Sequence, residues 1–169
     1  ANACGLTHAF ADDFAAAKFA FVAIDGEVLL DFEDERRVAE PDFVAGVPPD
    51  YFSKTGQLWG NPLYDWPAHK KDGFKWWINR LQANFKLFDI VRLDHFRGFY
   101  DYWRIPANAK DARLGKWALG PSDALFKEVA KQIPSAKLIA EDLGEIHDKV
   151  RDFRDRLGVQ LDEMDADPE

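Results

Sequence analysis

The spacing of apolar residues predicts three helices in the second half of the chain. From residue 74 onward, apolar side chains recur every three or four residues, the period of one helix face. They are Phe74, Ile78, Leu81, Phe85 and Phe88, and Asp72 is the predicted N-cap. A second helix is marked by Leu125, Val129 and Ile133 before Pro134, and a third by Val150, Phe153 and Leu157 before Gly158.

Two short apolar runs between these helices predict buried strands. The first is IVRLD, ending at Asp94, and the second is LIA, directly before Glu141. Strands that alternate with helices indicate parallel βα units and an α/β fold class. Ligands of such sheets bind at the carboxyl ends of the strands. We therefore expect Asp94 and Glu141 to lie at the same edge of one sheet.

Residues 44–68 have a different pattern, which predicts a long aromatic loop. Glycines and prolines interrupt this segment so often that no long helix fits it, yet aromatic residues are interspersed. Ordered loops of this length are functional more often than plain connections are. The rings of Tyr51, Phe52 and Trp59 suit the apolar faces of sugars, and Asp50, Gln57 and Asn61 offer hydrogen bonds. The alternative is a compact surface lid packed by its own side chains.

Composition narrows the classes of function. The 169 residues suit one domain, and 47% hydrophobic with 14% aromatic residues predicts a packed core. A net charge of -8 argues against nucleic acids and anionic membrane surfaces as partners. The single cysteine, Cys4, excludes an internal disulfide, and four scattered histidines do not predict a metal site. With no long apolar run and no signal-peptide pattern, we expect a cytoplasmic protein.

The two carboxylates at the strand ends suit cleavage of a glycosidic bond. Retaining enzymes hold a nucleophile and an acid/base about 5–5.5 Å apart, and adjacent strands lie about 4.8 Å apart. Arg92 precedes Asp94 by two positions, so both face one side of the strand, where the guanidinium would keep Asp94 ionised as a nucleophile. Glu141 has no basic neighbour in sequence, which suits a general acid.

These residues also have a purely structural interpretation, which the pattern alone leaves open. Arg92 and Asp94 would then form a simple ion pair, and His95 would be a hydrogen-bonded core histidine. Asp142 or Glu145 would serve the N-terminus of the following helix. A phosphate-binding glycine loop, a GxSxG elbow and the HExxH and CxxC motifs are all missing from the sequence.

Three blocks of sequence resemble one enzyme family. They are VAGVPPDYFSKTGQLWGNPLYDW (44–66), RLDHFRGF (92–99) and IAEDLG (139–144). They are similar to the substrate loop, the nucleophile motif and the acid/base motif of the 4-α-glucanotransferases, also called amylomaltases or disproportionating enzymes, of glycoside hydrolase family 77. The first block is the most specific, because the related α-amylases lack it. The resemblance covers residues 44–157.

The resemblance implies a (β/α)8 barrel and a retaining double displacement on α-1,4-glucans. Asp94 would be the nucleophile, Glu141 the acid/base and Arg92 the residue that orients Asp94. Glucan-binding positions would be His95 at the cleavage point, with Tyr51, Gln57, Trp59 and Asp50. Malto-oligosaccharides would act as donor and acceptor, with no metal or other cofactor.

The chain also departs from the family pattern. A complete barrel usually takes about 250 residues, and the family's third catalytic aspartate has no counterpart here. We therefore expect a weakly matching segment at 1–43, part of a catalytic barrel at 44–158 with the substrate loop at 44–68, and a divergent tail at 159–169. Two other functions remain open: a catalytically silent α-glucan-binding domain, and a hydrolytic relative of the α-amylases.

Overall fold

The computed structural model describes residues 19–23, 39–141 and 147–161. The strands are β1 (Phe19–Ala23), β2 (Ala39–Val47), β3 (Gln57–Tyr64), β4 (Ile90–Asp94), β5 (Asp101–Pro106), β6 (Lys116–Leu119), β7 (Leu138–Ala140) and β8 (Gln160–Leu161). The α-helices are α1 (Trp66–Lys71), α2 (Lys75–Phe85), α3 (Asp123–Gln132) and α4 (Asp148–Leu157). A hairpin at Asp25-Gly26, which the dipeptide between two apolar runs would predict, lies outside the described residues.

The first sheet is parallel and carries the predicted strands. Its order is β1-β4-β7-β8, with β4 between β1 and β7. The predicted βα alternation is confirmed here, because α3 connects toward β7 and α4 connects β7 to β8. The carboxyl ends of β4 and β7 are adjacent, since Leu93 pairs with Ala140. This register places the next residue after each of them, Asp94 and Glu141, side by side.

The second sheet is antiparallel and corrects the prediction for residues 44–68. Its order is β3-β2-β5-β6, so the segment contains the last four residues of β2, all of β3 and the start of α1 rather than one irregular loop. Pro62 is tolerated because β3 is an edge strand, the position in a sheet where proline is mostly found, and Gly60 has a left-handed backbone, with φ 81°. Gly46 is required by close packing, since a Cβ there would lie 2.1 Å from the backbone oxygen of Gln57.

The three predicted helices are present, and one predicted cap is wrong. Helix α2 begins after Phe74, which has a left-handed backbone (φ 58°), and not after Asp72. Asp72 instead ends α1, while its side chain accepts a hydrogen bond from the N–H of Lys75 at 3.3 Å. The turn at Asp72 and Gly73 and the bend at Phe74, between α1 and α2, explain the shift. Gly158 caps α4 as predicted, with φ 70°.

The core lies between the parallel sheet and the helices. Its buried apolar residues come from β4 and β7 on one side and from α2, α3 and α4 on the other. Aromatic rings dominate the part of the core below the carboxyl end of β4. There Phe153 of α4 stacks on Phe96 at 5.4 Å between ring centroids and meets Phe126 edge to face at 5.8 Å. The core therefore supports the segment that follows Asp94 directly.

No helix in the described part of the chain has the length and apolar character needed to cross a membrane.

Replacing Phe153 with alanine tests the contribution of this aromatic cluster. The side chain is fully buried, so we expect Phe153→Ala to lower the free energy of unfolding by about 3–5 kcal/mol. Urea unfolding followed by circular dichroism measures the change. Leu87→Ala is the control, because Leu87 is 66% exposed and its loss should change stability by less than about 0.5 kcal/mol. Equal effects of the two substitutions would contradict this description of the core.

Candidate active site

The two predicted carboxylates occupy neighbouring strand ends. Asp94 is the last residue of β4, and Glu141 follows the last residue of β7. The backbone N–H of Glu141 donates to the carbonyl of Leu93 at 3.1 Å, which extends the ladder between the strands by one step. The parallel register therefore brings Asp94 and Glu141 to the same edge of the sheet, as the sequence predicts.

One guanidinium contacts both carboxylates. Nε of Arg92 lies 2.8 Å from Oδ1 of Asp94, and Nη2 lies 3.1 Å from Oε1 of Glu141. The predicted pairing of Arg92 with Asp94 is confirmed. The expectation that Glu141 lacks a basic neighbour is wrong, because the arginine that is distant in sequence becomes adjacent when β4 and β7 pair. The environments of the two carboxylates are therefore more alike than the sequence suggests.

His95 holds Glu141 through its backbone. Its N–H donates to Oε2 of Glu141, the oxygen that does not contact Arg92. The backbone of His95 is left-handed at this point, with φ 51° and ψ 46°. For a residue other than glycine that conformation costs on the order of 1–2 kcal/mol. Backbone strain of this kind is concentrated at functional sites, where the surrounding structure holds it in place.

An aromatic pocket opens beside His95. The ring of His95 meets Trp59 of β3 edge to face, with 5.1 Å between ring centroids. Both residues line a cleft with an empty volume of about 380 Å³, part of it open to solvent. Tyr102 and Trp103 of β5 line the same cleft. Flat apolar walls next to His95, the residue that follows Asp94, suit a sugar ring, whose CH faces pack on aromatic side chains.

The other predicted binding residues do not line this cleft. Tyr51 is 95% exposed at the tip of the β2–β3 connection, where its ring meets that of Phe52. The carboxylate of Asp50 accepts hydrogen bonds from the N–H groups of Phe52 and Ser53, at 2.9 and 2.6 Å. Asp50 therefore shapes the turn that presents Tyr51.

Gln57 orients a residue of the cleft. Its Oε1 accepts from Nε1 of Trp59 at 3.0 Å, at the start of β3. The side chain of Gln57 is exposed, while that of Trp59 is half-buried. Gln57 thus fixes the ring that faces His95, and its own contact with the cleft is indirect.

Sequence reasoning missed the residues that β5 contributes. The proline at residue 106 and the glycine at residue 115 suggest irregular structure, so the sequence did not predict that Tyr102 and Trp103 line a site. In the structure this part of the chain forms β5 and β6, and both residues line the cleft. The ring of Trp103 packs edge to face on Trp117 across this pair of strands, at 5.2 Å. The signal available in the sequence was the aromatic run that follows Phe99 directly.

Another ion pair, between Asp111 and Arg113, lies outside the strand ends. Hydrogen bonds from Arg113 lower the pKa of the exposed Asp111 carboxyl, and the same pair raises the pKa of Arg113. Across residues 19–23, 39–141 and 147–161, no group of three His, Cys, Asp or Glu side chains is arranged to hold a metal ion.

Comparison with known proteins identifies the family. The family model described as 4-alpha-glucanotransferase matches residues 27–161, so the match extends beyond residues 44–157 at both ends. A 4-alpha-glucanotransferase of Aquifex aeolicus (strain VF5) is 56% identical over 120 residues, 71% of this chain and 25% of that protein. One from Thermus thermophilus is 50% identical over 119 residues, 70% of this chain and 24% of that protein.

A solved structure agrees with the sequence matches. The amylomaltase from Streptococcus agalactiae, determined in complex with acarbose, superposes with a TM-score of 0.73 at 34% identity. The superposition covers 85% of this chain and 30% of that protein. The chain spans about a quarter of the length of the curated relatives that it matches. The matched region contains both strand ends and the aromatic cleft, and the chain belongs to the 4-alpha-glucanotransferase family.

Proposed function

We propose that the chain carries the nucleophile and the acid/base of a glucan-transfer site. The reaction is transfer of an α-1,4-linked glucan segment between malto-oligosaccharides by a retaining double displacement. The observation that carries this proposal is the bridge from Arg92 to Asp94 and Glu141 at neighbouring strand ends, beside an aromatic cleft. Family membership supports the choice of substrate class.

In the first step, Asp94 attacks the anomeric carbon of the donor glucan. A bond forms between a carboxylate oxygen of Asp94 and that carbon, while the bond to the leaving oxygen breaks. Glu141 gives its proton to the leaving oxygen and becomes a carboxylate. Arg92 holds Asp94 in its attacking orientation, and the contact of Arg92 with Glu141 strengthens as Glu141 becomes anionic.

In the second step, Glu141 acts as the base. It takes the proton of an acceptor hydroxyl, whose oxygen attacks the anomeric carbon and releases the Asp94 carboxylate. The two inversions leave the α configuration unchanged. When the acceptor is the end of another glucan the outcome is transfer, and when it is water the outcome is hydrolysis. Neither step uses a metal or another cofactor.

The aromatic cleft supplies the wall of the sugar site. Trp59 and His95 form one side, close to Glu141, and Tyr102 and Trp103 extend it. We assign Tyr51, at the exposed tip of the β2–β3 connection, to contacts with the glucan outside the cleft. Asp50 and Gln57 act by shaping that connection and by orienting Trp59.

The parallel sheet is, on this proposal, part of a (β/α)8 barrel. The likeness to amylomaltase structures supports this arrangement. The family's third catalytic aspartate would belong to a block with no counterpart in these 169 residues. A location in the cytoplasm, the lack of a nucleic-acid or membrane partner and the lack of a cofactor stay predictions.

Removing the nucleophile tests the role of Asp94. Asp94→Asn keeps the size of the side chain but removes its charge, so we expect turnover of maltotriose to fall by on the order of 10³-fold or more. Chromatography of the released sugars measures the rate. Asp111→Asn is the matched control, because Asp111 also pairs with an arginine but lies outside the cleft. Equal turnover by wild type and Asp94→Asn would exclude Asp94 from the mechanism, and glucan binding without turnover by either protein would favour a silent binding domain.

Replacing Arg92 tests the contacts of its guanidinium with Asp94 and Glu141. Lysine carries a compact ammonium on a flexible stem and lacks the planar, rigid guanidinium whose Nε and Nη2 face the two carboxylates. We expect Arg92→Lys to lower turnover roughly ten- to a hundredfold, the effect of losing one charge-assisted hydrogen bond in the transition state. Arg113→Lys, in the exposed pair with Asp111, is the control. Unchanged turnover in Arg92→Lys would show that the bridge has no catalytic role.

The products of maltotriose separate transfer from hydrolysis. We expect oligosaccharides longer than maltotriose together with glucose, because a glucan end packs on the aromatic cleft better than water does. Mass spectrometry of the sugar mixture identifies them. Maltose and glucose without any longer product would instead support the hydrolytic relative.

A further inference from the structure

The carboxylate of Asp101 joins the two segments that follow the candidate catalytic residues. Asp101 opens β5 shortly after Asp94, and His147 precedes α4 shortly after Glu141. Nε2 of His147 lies 3.2 Å from Oδ2 of Asp101. The other oxygen, Oδ1, accepts a hydrogen bond from Nε of Arg97 at 2.8 Å. We call Arg97, Asp101 and His147 the Asp101 clasp.

Arg97 and His147 each make a further contact outside the clasp. Arg97 belongs to the 3₁₀ helix Phe96–Phe99, and its guanidinium lies 4.0 Å from the ring centroid of Trp117 on β6. The ring of His147 meets that of Tyr100 edge to face at 5.8 Å. The side chain of Asp101 is only 13% exposed, so its two contacts are largely shielded from water. The clasp thus ties the 3₁₀ helix, β5 and the start of α4 together.

We propose that Asp101 is a positioning residue for Glu141, an inference that rests on the proposed function. The 3₁₀ helix begins directly after His95, whose N–H donates to Oε2 of Glu141. His95 also has a left-handed backbone, which is unfavourable unless neighbouring contacts hold it, and this backbone sets the direction of the 3₁₀ helix that follows. The clasp holds this helix through Arg97, its second residue, and through Asp101, which begins the next strand. Asp101 acts through His95, and it touches neither Asp94 nor Glu141 in the contacts described.

Hydrogen exchange of the His95 amide tests the clasp without requiring turnover. We expect Asp101→Ala to speed this exchange about tenfold relative to wild type, because the loss of one charge-assisted hydrogen bond makes local opening easier by about that factor. The amide of Val91, which donates to the carbonyl of Lys137 in the core, should keep its rate. Two-dimensional NMR of the isotope-labelled full chain resolves the two amides. Acceleration at both would report general destabilisation and would overturn the proposal, as would no change at His95.

Two further variants sharpen the exchange experiment. His147→Ala should also speed exchange at His95, whereas His147→Gln should restore a slow rate, because an amide N–H can still donate to Asp101. Asp111→Ala is the matched control, since it removes an aspartate from an exposed arginine pair away from the clasp. An effect of Asp111→Ala equal to that of Asp101→Ala would contradict the assignment.

First-turnover rates with two donors test the link to Glu141. Maltotriose needs a proton on its leaving oxygen, whereas fluoride leaves α-maltosyl fluoride with little help from an acid. We expect Asp101→Ala to slow sugar release from maltotriose about tenfold and fluoride release by less than about twofold. Equal slowing with both donors would indicate a merely structural role for Asp101 and would overturn the proposal. An inactive wild-type chain would reject the proposed function, and exchange at His95 would still decide the clasp.

Discussion

The guanidinium of Arg92 is the interaction on which the candidate site depends. The pairing of β4 with β7 brings Asp94 and Glu141 together, and Arg92 then sets how both carboxylates are turned. Its side chain is only 15% exposed, so water screens the contacts weakly. In the proposed mechanism the negative charge lies on Asp94 before the first step and on Glu141 after it, and Arg92 contacts both groups. The bridge therefore faces the charged carboxylate in both steps.

The elements outside the parallel sheet complete the site. The 3₁₀ helix after β4 provides the backbone N–H that holds Glu141, and the antiparallel sheet provides the aromatic wall. Trp59 comes from the strand pair before β4 in the chain, and Trp103 comes from the pair after it. The strands of the antiparallel sheet thus supply an aromatic wall at the carboxyl end of the parallel sheet, while the residues beneath it form the apolar core.

Local patterns predict much of this fold. Helices α3 and α4 and strands β4 and β7 follow from apolar spacing, because each buries one face or both faces in the core. The antiparallel sheet escapes such patterns. Strand β3 carries Gly60 and Pro62 at an edge, and most residues of β5 are half-buried, so neither strand alternates clearly between apolar and polar positions.

The candidate site is less predictable than the fold. A carboxylate at each strand end follows from the pattern, and sequence neighbours favour Asp94 as the nucleophile and Glu141 as the acid, but the family resemblance was needed to choose these roles over a structural ion pair. The contact of Arg92 with Glu141 joins residues 49 positions apart and depends on strand pairing, which neighbours in sequence do not reveal. The contact between Asp101 and His147, 46 positions apart, is hidden in the same way.

Trapping the covalent intermediate is the most direct test of Asp94 as the nucleophile and Glu141 as the base. Glu141→Gln removes the base of the second step, and α-maltosyl fluoride needs little acid in the first, so the glycosyl-enzyme should accumulate. Mass spectrometry of proteolytic peptides then locates the added maltosyl group. The account predicts the group on Asp94 and none after the further substitution Asp94→Asn. A maltosyl group on another residue, or an unmodified Asp94 while fluoride is released, would contradict it.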